Sequence, residues 1–313
     1  MASRDRVDTR GAGPAPRISV IIPHLNTPDM LARCLQSVID QRLDHGTMEV
    51  IVVDNGSRLG VDLATFPQVR ILHEPEPGPG LARNRGIVAA GAPVLAFIDA
   101  DCRAAPGWLQ AAVAAVETGG DLAITGGDIR IDFVAPDAMT GIEAYEAVFG
   151  FRQQMYIEAK HFSVTANLAM ASGVPALVGA FGGIDIAEDL DWGQRAHRLG
   201  LETRYIPAML VYHPARPDFE ALVRKWRRHV RHDWNEHLTA RRPAWRWRAR
   251  AVALVASVPV EMLKFLVSDR VSGFGNRLRG VATLARIRAF RAAEMLRVMA
   301  APAGNADYWN RTP

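Results

Sequence analysis

Residues 94–109 read VLAFIDADCRAAPGWL, an apolar run that ends in two acidic residues one position apart. The run at 94–98 predicts a strand buried on both faces, because helices cover both sides of a parallel sheet. Asp99 and Asp101 follow directly at its carboxyl end. Ligands of open α/β sheets bind beyond the carboxyl ends of the strands, so these two acids predict a functional site.

The chain around this stretch alternates further apolar runs with helical patterns. The runs that predict other strands are residues 17–23, 48–53, 69–72 and 122–125. Helices are predicted to start near Pro28, Pro79 and Pro106, because proline suits the first turn of a helix. This alternation predicts an α/β fold with a mostly parallel central sheet flanked by helices.

Polar side chains follow three of the predicted strands. They are His24 and Asn26, Asp54 and Asn55, and Asp99 and Asp101. Because the carboxyl ends of parallel strands meet at one edge of a sheet, we expect these side chains to converge on one rim. The sequence therefore predicts a single cleft with several carboxylates.

The composition bounds the size of the fold and its cellular setting. With 313 residues, 49% of them hydrophobic, the chain can form one large core, or a domain of roughly 200–250 residues with an extension. We expect a disordered leader at 1–16, a main domain at 17–235 and a helical extension at 236–313. The leader has no apolar signal segment and two cysteines are too few for a disulfide scaffold, so we expect a cytoplasmic protein.

Asp99 and Asp101 are candidate metal ligands. A hard divalent cation that also binds phosphate oxygens needs one or two protein carboxylates. An acidic pair can instead cap the following helix, but its place after a buried strand, with Asp54 nearby, favours a metal site. The first strand ends in Pro-His-Leu-Asn and lacks a glycine-rich dinucleotide loop, so any nucleotide is expected to be held in another way.

Six segments of the chain together resemble the family 2 glycosyltransferases. In chain order they are VIIPHLN (20–26), VIVVDNGS (50–57), GPGLARNRGI (78–87), VLAFIDAD (94–101), AEDLDWGQRAHRLG (187–200) and VYH (211–213). The resemblance covers roughly residues 17–230. It implies a GT-A fold and a metal-dependent enzyme, with Mg²⁺ or Mn²⁺ as cofactor, that moves a sugar from a nucleotide-sugar donor with inversion at the anomeric carbon.

The resemblance also implies roles for individual residues. Those implied in nucleotide-sugar binding are Pro23, Asn26, Asp54, Arg83 and Asp99. Asp101, together with Asp99 and His213, is implied in binding the metal. Asp189 matches the catalytic base, which takes the proton of the acceptor hydroxyl. Those implied on the acceptor side are Glu188, Trp192 and Asn167.

Each of these residues also has an ordinary structural interpretation. Asp54 could cap the turn at Asn55, and Arg83 could be a solvated helix residue. Glu188 and Asp189 could favour the start of a helix electrostatically. The remaining alternatives are an ordinary loop histidine for His213 and simple packing for Trp192 and Asn167.

The last third of the chain is basic, aromatic and then apolar. Arginines alternate with tryptophans between residues 224 and 250, and an apolar run follows at 251–267. This run is short and is interrupted by Pro259, Glu261 and Lys264, so it predicts a helix lying on an anionic membrane rather than one crossing it. The alternative is a helical subdomain that packs on the main domain. Nucleic acid is not an expected partner.

Two further expectations concern the reaction. The chain lacks the Gln-x-x-Arg-Trp motif of the family's processive synthases, which favours a single addition to a glycan or lipid-linked acceptor. A non-catalytic nucleotide-sugar-binding protein of a membrane-associated glycan assembly is the alternative function, and the intact acidic residues count against it. A nucleotidyltransferase would show a basic, glycine-rich loop after the first strand.

Overall fold

The computed structural model describes residues 15–58, 64–184 and 186–300, and within them eight strands form one sheet. The strands are β1 (Ile18–His24), β2 (Met48–Asp54), β3 (Val69–His73), β4 (Val94–Ile98), β5 (Arg103–Ala104), β6 (Ile124–Asp132), β7 (Asn167–Ala171) and β8 (Thr203–Pro214). Their spatial order is β3-β2-β1-β4-β7-β6-β8-β5. The predicted leader at 1–16 lies outside the described residues except for its last two positions.

Helices flank the sheet and form the carboxyl-terminal third of the chain. They are α1 (Pro28–Ile39), α2 (Pro79–Ala89), α3 (Trp108–Gly119), α4 (Gly141–Phe149), α5 (Gln153–Lys160), α6 (Val174–Val178), α7 (Glu188–Arg198), α8 (Phe219–Thr239), α9 (Ala244–Ala256), α10 (Val258–Val267) and α11 (Phe274–Ala300), with a 3₁₀ turn at Pro136–Ala138. Pro28 and Pro79 start α1 and α2 as predicted, because a first helical residue needs no backbone N–H donor.

The sheet has a parallel half and an antiparallel half. Strands β3, β2, β1 and β4 are parallel, with Ile21 of β1 aligned between Ile51 of β2 and Phe97 of β4. Strand β7 runs antiparallel to both β4 and β6. The predicted class is confirmed: this is an α/β fold in which helices cover a central sheet. The parallel half carries four of the five apolar runs read from the sequence, and the run at 122–125 overlaps β6 in the antiparallel half.

The chain divides into two compact units. Unit 1 comprises the residues up to 130 together with 152–213, and unit 2 comprises 131–151 together with the residues from 214 onward. Helix α8 belongs to unit 2 because Leu222 is buried in a core with Tyr145 of α4 and Leu284 of α11. The limit at residue 235 expected from the sequence therefore lies inside α8, whereas the units divide before that helix begins.

Two glycines let α2 lie close to its neighbours in unit 1. A Cβ atom on Gly86 would lie 2.4 Å from Cγ2 of Ile21, a core residue of β1. A Cβ atom on Gly80 would lie 2.1 Å from the carbonyl oxygen of Gly182. Protein interiors are densely packed, so these contacts permit only glycine and fix the position of α2. Arg83, between the two glycines, is thereby directed into the protein.

Most of the tryptophans in unit 2 pack between helices. Trp247 is fully buried and donates a hydrogen bond from Nε1 to the carbonyl oxygen of Met295 at 2.8 Å. Trp234 packs against the same core, and Trp226 packs against the neighbouring one. Trp245, in contrast, is 63% exposed. The Arg/Trp pattern thus reflects helix packing for three of its four tryptophans. None of the helices described above combines the length and the apolar composition of a membrane-spanning segment.

Candidate active site

A cavity of about 370 Å³ lies in unit 1 at the carboxyl ends of β1 and β4 and the start of α7. Its lining comprises Pro23, His24, Leu25, Thr27, Asn55, Pro79, Arg83, Asp99, Ala100, Asp101, Glu188 and Asp189. Six residues selected from the sequence therefore meet in one cavity, namely Pro23, Arg83, Asp99, Asp101, Glu188 and Asp189. Of the six strand-end residues expected to converge, His24, Asn55, Asp99 and Asp101 line this cavity.

Arg83 links two of the acidic residues of the cavity. Its side chain is 3% exposed, so its interpretation as a solvated helix residue is wrong. Arg83 donates from Nη2 to Oδ1 of Asp99 at 2.7 Å and from Nη1 to Oε1 of Glu188 at 3.3 Å. Burial by itself lowers the pKa of Arg83, but Asp99, Asp189 and Glu188 outweigh it and raise that pKa. Arg83 therefore stays charged and holds Asp99 and Glu188 in fixed positions.

Asp189 lies in the first turn of α7 and is tied to one neighbour. Thr165 donates to its Oδ1 twice, from the hydroxyl at 2.6 Å and from the backbone N–H at 3.3 Å. Burial is the largest cause that raises the pKa of Asp189 to about 6, and Glu188 adds to it, while Arg83 and Thr165 act in the opposite direction. A carboxylate with such a pKa is ionised at neutral pH and is basic enough to accept a proton.

Asp101 and His213 form a pair whose donor atoms suit a divalent cation. Oδ2 of Asp101 lies 3.4 Å from Nε2 of His213, and one possible ligand atom of each residue lies within 4.8 Å of the sulfur of Cys102. Burial raises the pKa of Asp101, and Asp99 adds to this rise. A cation would favour the ionised carboxylate. Burial also raises the pKa of the Cys102 thiol well above its usual value, so that thiol stays protonated. The fit is thus to a hard cation held by carboxylate and imidazole groups.

Asp54 and Asn26 hold the loops beside the cavity, outside its described lining. Oδ1 of Asp54 accepts from the Ser57 hydroxyl at 2.5 Å and lies 3.4 Å from Nδ1 of His24. Asn26 adopts a left-handed backbone conformation with φ 55°, and its side-chain oxygen accepts from the backbone N–H of Arg58 at 2.9 Å. The turn-capping contacts of Asp54 are therefore present, and its contact with a nucleobase stays a prediction.

Two of the other lining residues, His24 and Asn55, were expected at the strand ends but were given no role in the site. Asn55 donates from Nδ2 to the carbonyl oxygens of Glu74 and Glu76 and accepts from the backbone N–H of Gly78 at 2.7 Å. His24 accepts from the backbone N–H of Thr27 at 3.1 Å, and burial lowers its pKa, which favours the neutral ring. Each lies at the carboxyl end of a predicted strand, and this position is the sequence feature that could have identified it as a site residue.

Trp192 and Asn167 lie in the interior of the protein. Trp192 is 2% exposed, donates to the carbonyl oxygen of Gly179 at 2.9 Å and stacks on Phe181. Asn167 is fully buried and bonds the carbonyl oxygens of Asp128 and Met209. Both side chains are therefore buried and packed, as in their structural interpretation, and a direct contact with an acceptor stays a prediction.

Comparison with known proteins identifies related sequences. The sequence model described as "Glycosyl transferase family 2" matches residues 19–177. Glycosyltransferase AglE of Haloferax volcanii is 33% identical over 221 residues, which cover 68% of this chain and 71% of that protein. The pre-mycofactocin glycosyltransferase of Mycobacterium tuberculosis is 29% identical over 235 residues, which cover 69% of this chain but 46% of that protein.

Among solved structures, one of GalNAc-T7 with UDP, GalNAc and Mn²⁺ aligns with a TM-score of 0.47 and 16% identity. The alignment covers 68% of this chain and 48% of that one.

Proposed function

Because the chain belongs to glycosyltransferase family 2 and is a glycosyltransferase with an α/β GT-A-type fold, we propose that it adds one sugar to an acceptor hydroxyl with inversion at the anomeric carbon. The donor is a nucleotide-sugar, and a divalent cation assists the reaction. The observation that carries this proposal is the meeting of Arg83, Asp99, Asp101, Glu188 and Asp189 around one cavity. Direct displacement needs a base on one side of the reacting carbon and charge neutralisation on the other.

The donor lies in the cavity at the ends of β1 and β4. Pro23 and the loops held by Asn26 and Asp54 border the base and the ribose, and Asp99 lies near the ribose or the cation. Arg83, which is already bonded to Asp99 and Glu188, adds positive charge close to the donor phosphates. Support comes from its burial, because a buried and permanently charged guanidinium is a strong partner for phosphate oxygens.

Asp101, Asp99 and His213 hold Mg²⁺ or Mn²⁺. A bound cation of this kind supplies Lewis-acid stabilisation of the charge that develops on a leaving diphosphate. The chain's own contribution is to keep the ligands in place. Arg83 fixes Asp99 through Oδ1, and Asp101 faces the imidazole of His213 at 3.4 Å. The carboxylate and imidazole donors of this cluster support the assignment.

Asp189 acts as the general base. The acceptor hydroxyl attacks the anomeric carbon from the face opposite the diphosphate, the carbon–oxygen bond to the diphosphate breaks, and Asp189 takes the hydroxyl proton. The pKa of about 6 supports this role, because such a group is ionised at neutral pH and still basic. Thr165 holds Oδ1 and so orients the carboxylate for the transfer. Glu188 lies next to it on the acceptor side and is bonded to Arg83.

Helices α9 and α10 dock on the cytoplasmic face of an anionic membrane, where a lipid-linked acceptor would be presented. Support comes from a row of exposed apolar side chains, comprising Val252, Val255, Val260, Leu263, Leu266 and Val267. Arg246 and Arg248 are exposed just before this row, whereas Arg250 pairs with Asp233 at 2.6 Å. Each basic residue near an anionic leaflet contributes about 1 kcal/mol, and apolar insertion adds to it.

A donor screen followed by transfer assays tests the proposed reaction. Thermal shifts are measured with UDP- and GDP-sugars in Mg²⁺ or Mn²⁺, because a ligand at a hundredfold excess over its Kd stabilises the fold by about 2.7 kcal/mol. With the donor so found, Asp189→Asn should keep donor affinity and lose turnover by about 10²-fold or more. The matched control is Asp121→Asn at an exposed acid, which should behave as the wild type. Normal turnover by Asp189→Asn would refute the assignment of the base.

A further inference from the structure

Two histidines and a glutamate meet at the end of α7 opposite to Asp189. His161 follows α5 and adopts a left-handed backbone conformation with φ 58°. His197 lies in the last turn of α7, and Glu202 precedes β8. One possible ligand atom from each side chain lies within 4.8 Å of the other two. All three residues belong to unit 1 and lie outside the cavity described above.

The side chains of this cluster are closely aligned. The rings of His161 and His197 stack with centroids 3.7 Å apart and planes 5° from parallel. Oε1 of Glu202 lies 2.8 Å from Nδ1 of His197, and Oε2 lies 3.9 Å from Nδ1 of His161. Among the described residues, Nδ1 of His197 is buried and makes no hydrogen bond, because the nearby carboxylate is not in hydrogen-bonding geometry. This ring nitrogen and the carboxylate oxygen beside it are therefore both open to a further partner.

We propose that His161, His197 and Glu202 form a second metal site, which takes a transition-metal ion of the Zn²⁺ type. Zn²⁺ binds imidazole nitrogen and carboxylate oxygen at about 2.0–2.2 Å, so tetrahedral neighbours lie about 3.4 Å apart. The separations of 2.8 and 3.9 Å lie on either side of that value. The nitrogen lone pairs of two nearly parallel rings point in the same direction, so joint coordination requires one ring to turn out of the stack, and water completes the coordination.

Donor chemistry distinguishes this site from the one in the cavity. Two imidazoles and one carboxylate select Zn²⁺, Ni²⁺ or Cu²⁺ over Mg²⁺, whereas the carboxylates around Asp101 suit a hard cation.

Ion pairing alone explains the cluster less well. Two protonated rings stacked at 3.7 Å would repel each other, and pairing with Glu202 leaves Nδ1 of His197 without a hydrogen bond. A metal ion uses the neutral rings and satisfies that nitrogen.

The ion would act as a structural clamp. The segment that starts at His161 reaches Thr165, which bonds Asp189. Helix α7 starts beside Asp189 and carries His197 in its last turn. Between these ends, a Cβ atom on Gly193 would lie 2.4 Å from Cβ of Phe162, so segment and helix are in close contact. A metal bound to His161 and His197 would therefore join the same two elements that meet at the Asp189–Thr165 hydrogen bond.

Calorimetric titration of Zn²⁺ into the full chain tests the site. Saturating Mg²⁺ is kept present to occupy the cavity. Replacing a residue that only hydrogen-bonds a metal ligand already lowers metal affinity by about 10–100-fold. His197→Ala and Glu202→Gln each remove a direct ligand, so each should weaken Zn²⁺ binding by at least about tenfold. Because the side chain of Glu202 is 62% exposed, Glu202→Gln should stay folded. It therefore still tests the site if His197→Ala fails to fold. His45→Ala, at an exposed histidine, is the matched control and should bind Zn²⁺ as the wild type does. Asp101→Asn removes a possible ligand from the cavity and should keep the Zn²⁺ binding that His197→Ala and Glu202→Gln weaken.

Thermal unfolding gives the second measurement. Zn²⁺ should raise the Tm of the wild type and of Asp101→Asn, and should leave the Tm of Glu202→Gln unchanged. Equal Zn²⁺ affinity in wild type, His197→Ala and Glu202→Gln would overturn the proposal. Loss of Zn²⁺ binding in Asp101→Asn with retention in Glu202→Gln would also overturn it, since the ion would then lie in the cavity.

Discussion

Replacing Thr165 by valine isolates one hydrogen bond of the proposed base. The hydroxyl of Thr165 donates to Oδ1 of Asp189 at 2.6 Å, and the backbone N–H of the same residue donates at 3.3 Å. Valine has nearly the same shape as threonine and lacks only the hydroxyl. Thr165→Val therefore removes the shorter bond, leaves the backbone bond in place and keeps the buried site filled.

The size of the effect follows from the charge of the acceptor. A hydrogen bond to an ionised group contributes about 1.5–3 kcal/mol, and one pKa unit corresponds to about 1.36 kcal/mol. The bond stabilises the ionised carboxylate, so its loss should raise the pKa of Asp189 by about 1–2 units from its value of about 6. At pH 7 the ionised fraction would fall from about 90% to between about 50% and 10%.

The assay is the pH dependence of kcat/KM at saturating Mg²⁺. The acidic limb should move to higher pH by about 1–2 units in Thr165→Val, and activity should return towards the wild-type level near pH 9. Thr165→Ser keeps the hydroxyl and should leave the limb in place. An unchanged limb in Thr165→Val, or low activity at every pH from a folded variant, would refute this account of Asp189.

Three further predictions concern stability, metal dependence and membrane binding, and a fourth tests close packing. The folded pKa of Asp189, about 6, exceeds its ordinary value of 3.8, so ionisation destabilises the fold progressively between about pH 4 and 6. Asp189→Asn should be more stable by about 1–3 kcal/mol at pH 7.5 and should gain nothing at pH 3.5 in denaturant titrations; an equal gain at both pH values would contradict this. Asp101→Asn should stay folded and lose metal-dependent donor binding in calorimetry, and full wild-type activity in excess chelator would remove the metal from the mechanism. Leu263→Asp, at a side chain 53% exposed, should weaken co-sedimentation with anionic vesicles at low salt, and unchanged binding would exclude this face of α10. Gly80→Ala places a Cβ atom 2.1 Å from a backbone carbonyl oxygen and should cost about 1–3 kcal/mol in thermal unfolding, whereas Gly183→Ala, with nothing within 4 Å, should cost much less.

The sequence predicted the parallel half of the sheet well because its signals are local. Strand β4 occupies Val94–Ile98 as expected, and no boundary of β1 or β2 differs from its predicted position by more than one residue. A buried strand is a short apolar run, and such runs are visible without any knowledge of contacts. The unit boundary was harder to predict, because α8 joins unit 2 through long-range packing of Leu222.

Individual roles in the candidate site depended on burial, which a sequence does not show. Trp192 has a residue type that suits acceptor stacking, yet it is buried on Phe181. Similarly, the alternation of arginine and tryptophan suggested a membrane face, but Trp247 lies inside a helical core. The exposed apolar side chains of α9 and α10 support membrane docking better than the tryptophans do.

The sequence by itself determined the four parallel strands β1 to β4, the acids at the ends of β2 and β4 and the family resemblance, because each depends on residue types at fixed short spacings. Only the tertiary structure decided that Arg83 bonds both Asp99 and Glu188, that Thr165 tunes Asp189, and that His161 meets His197. These partners are separated by 16 to 105 residues along the chain. Their pairing follows from the packing of helices on the sheet, and the pKa of Asp189 follows from the burial that this packing creates.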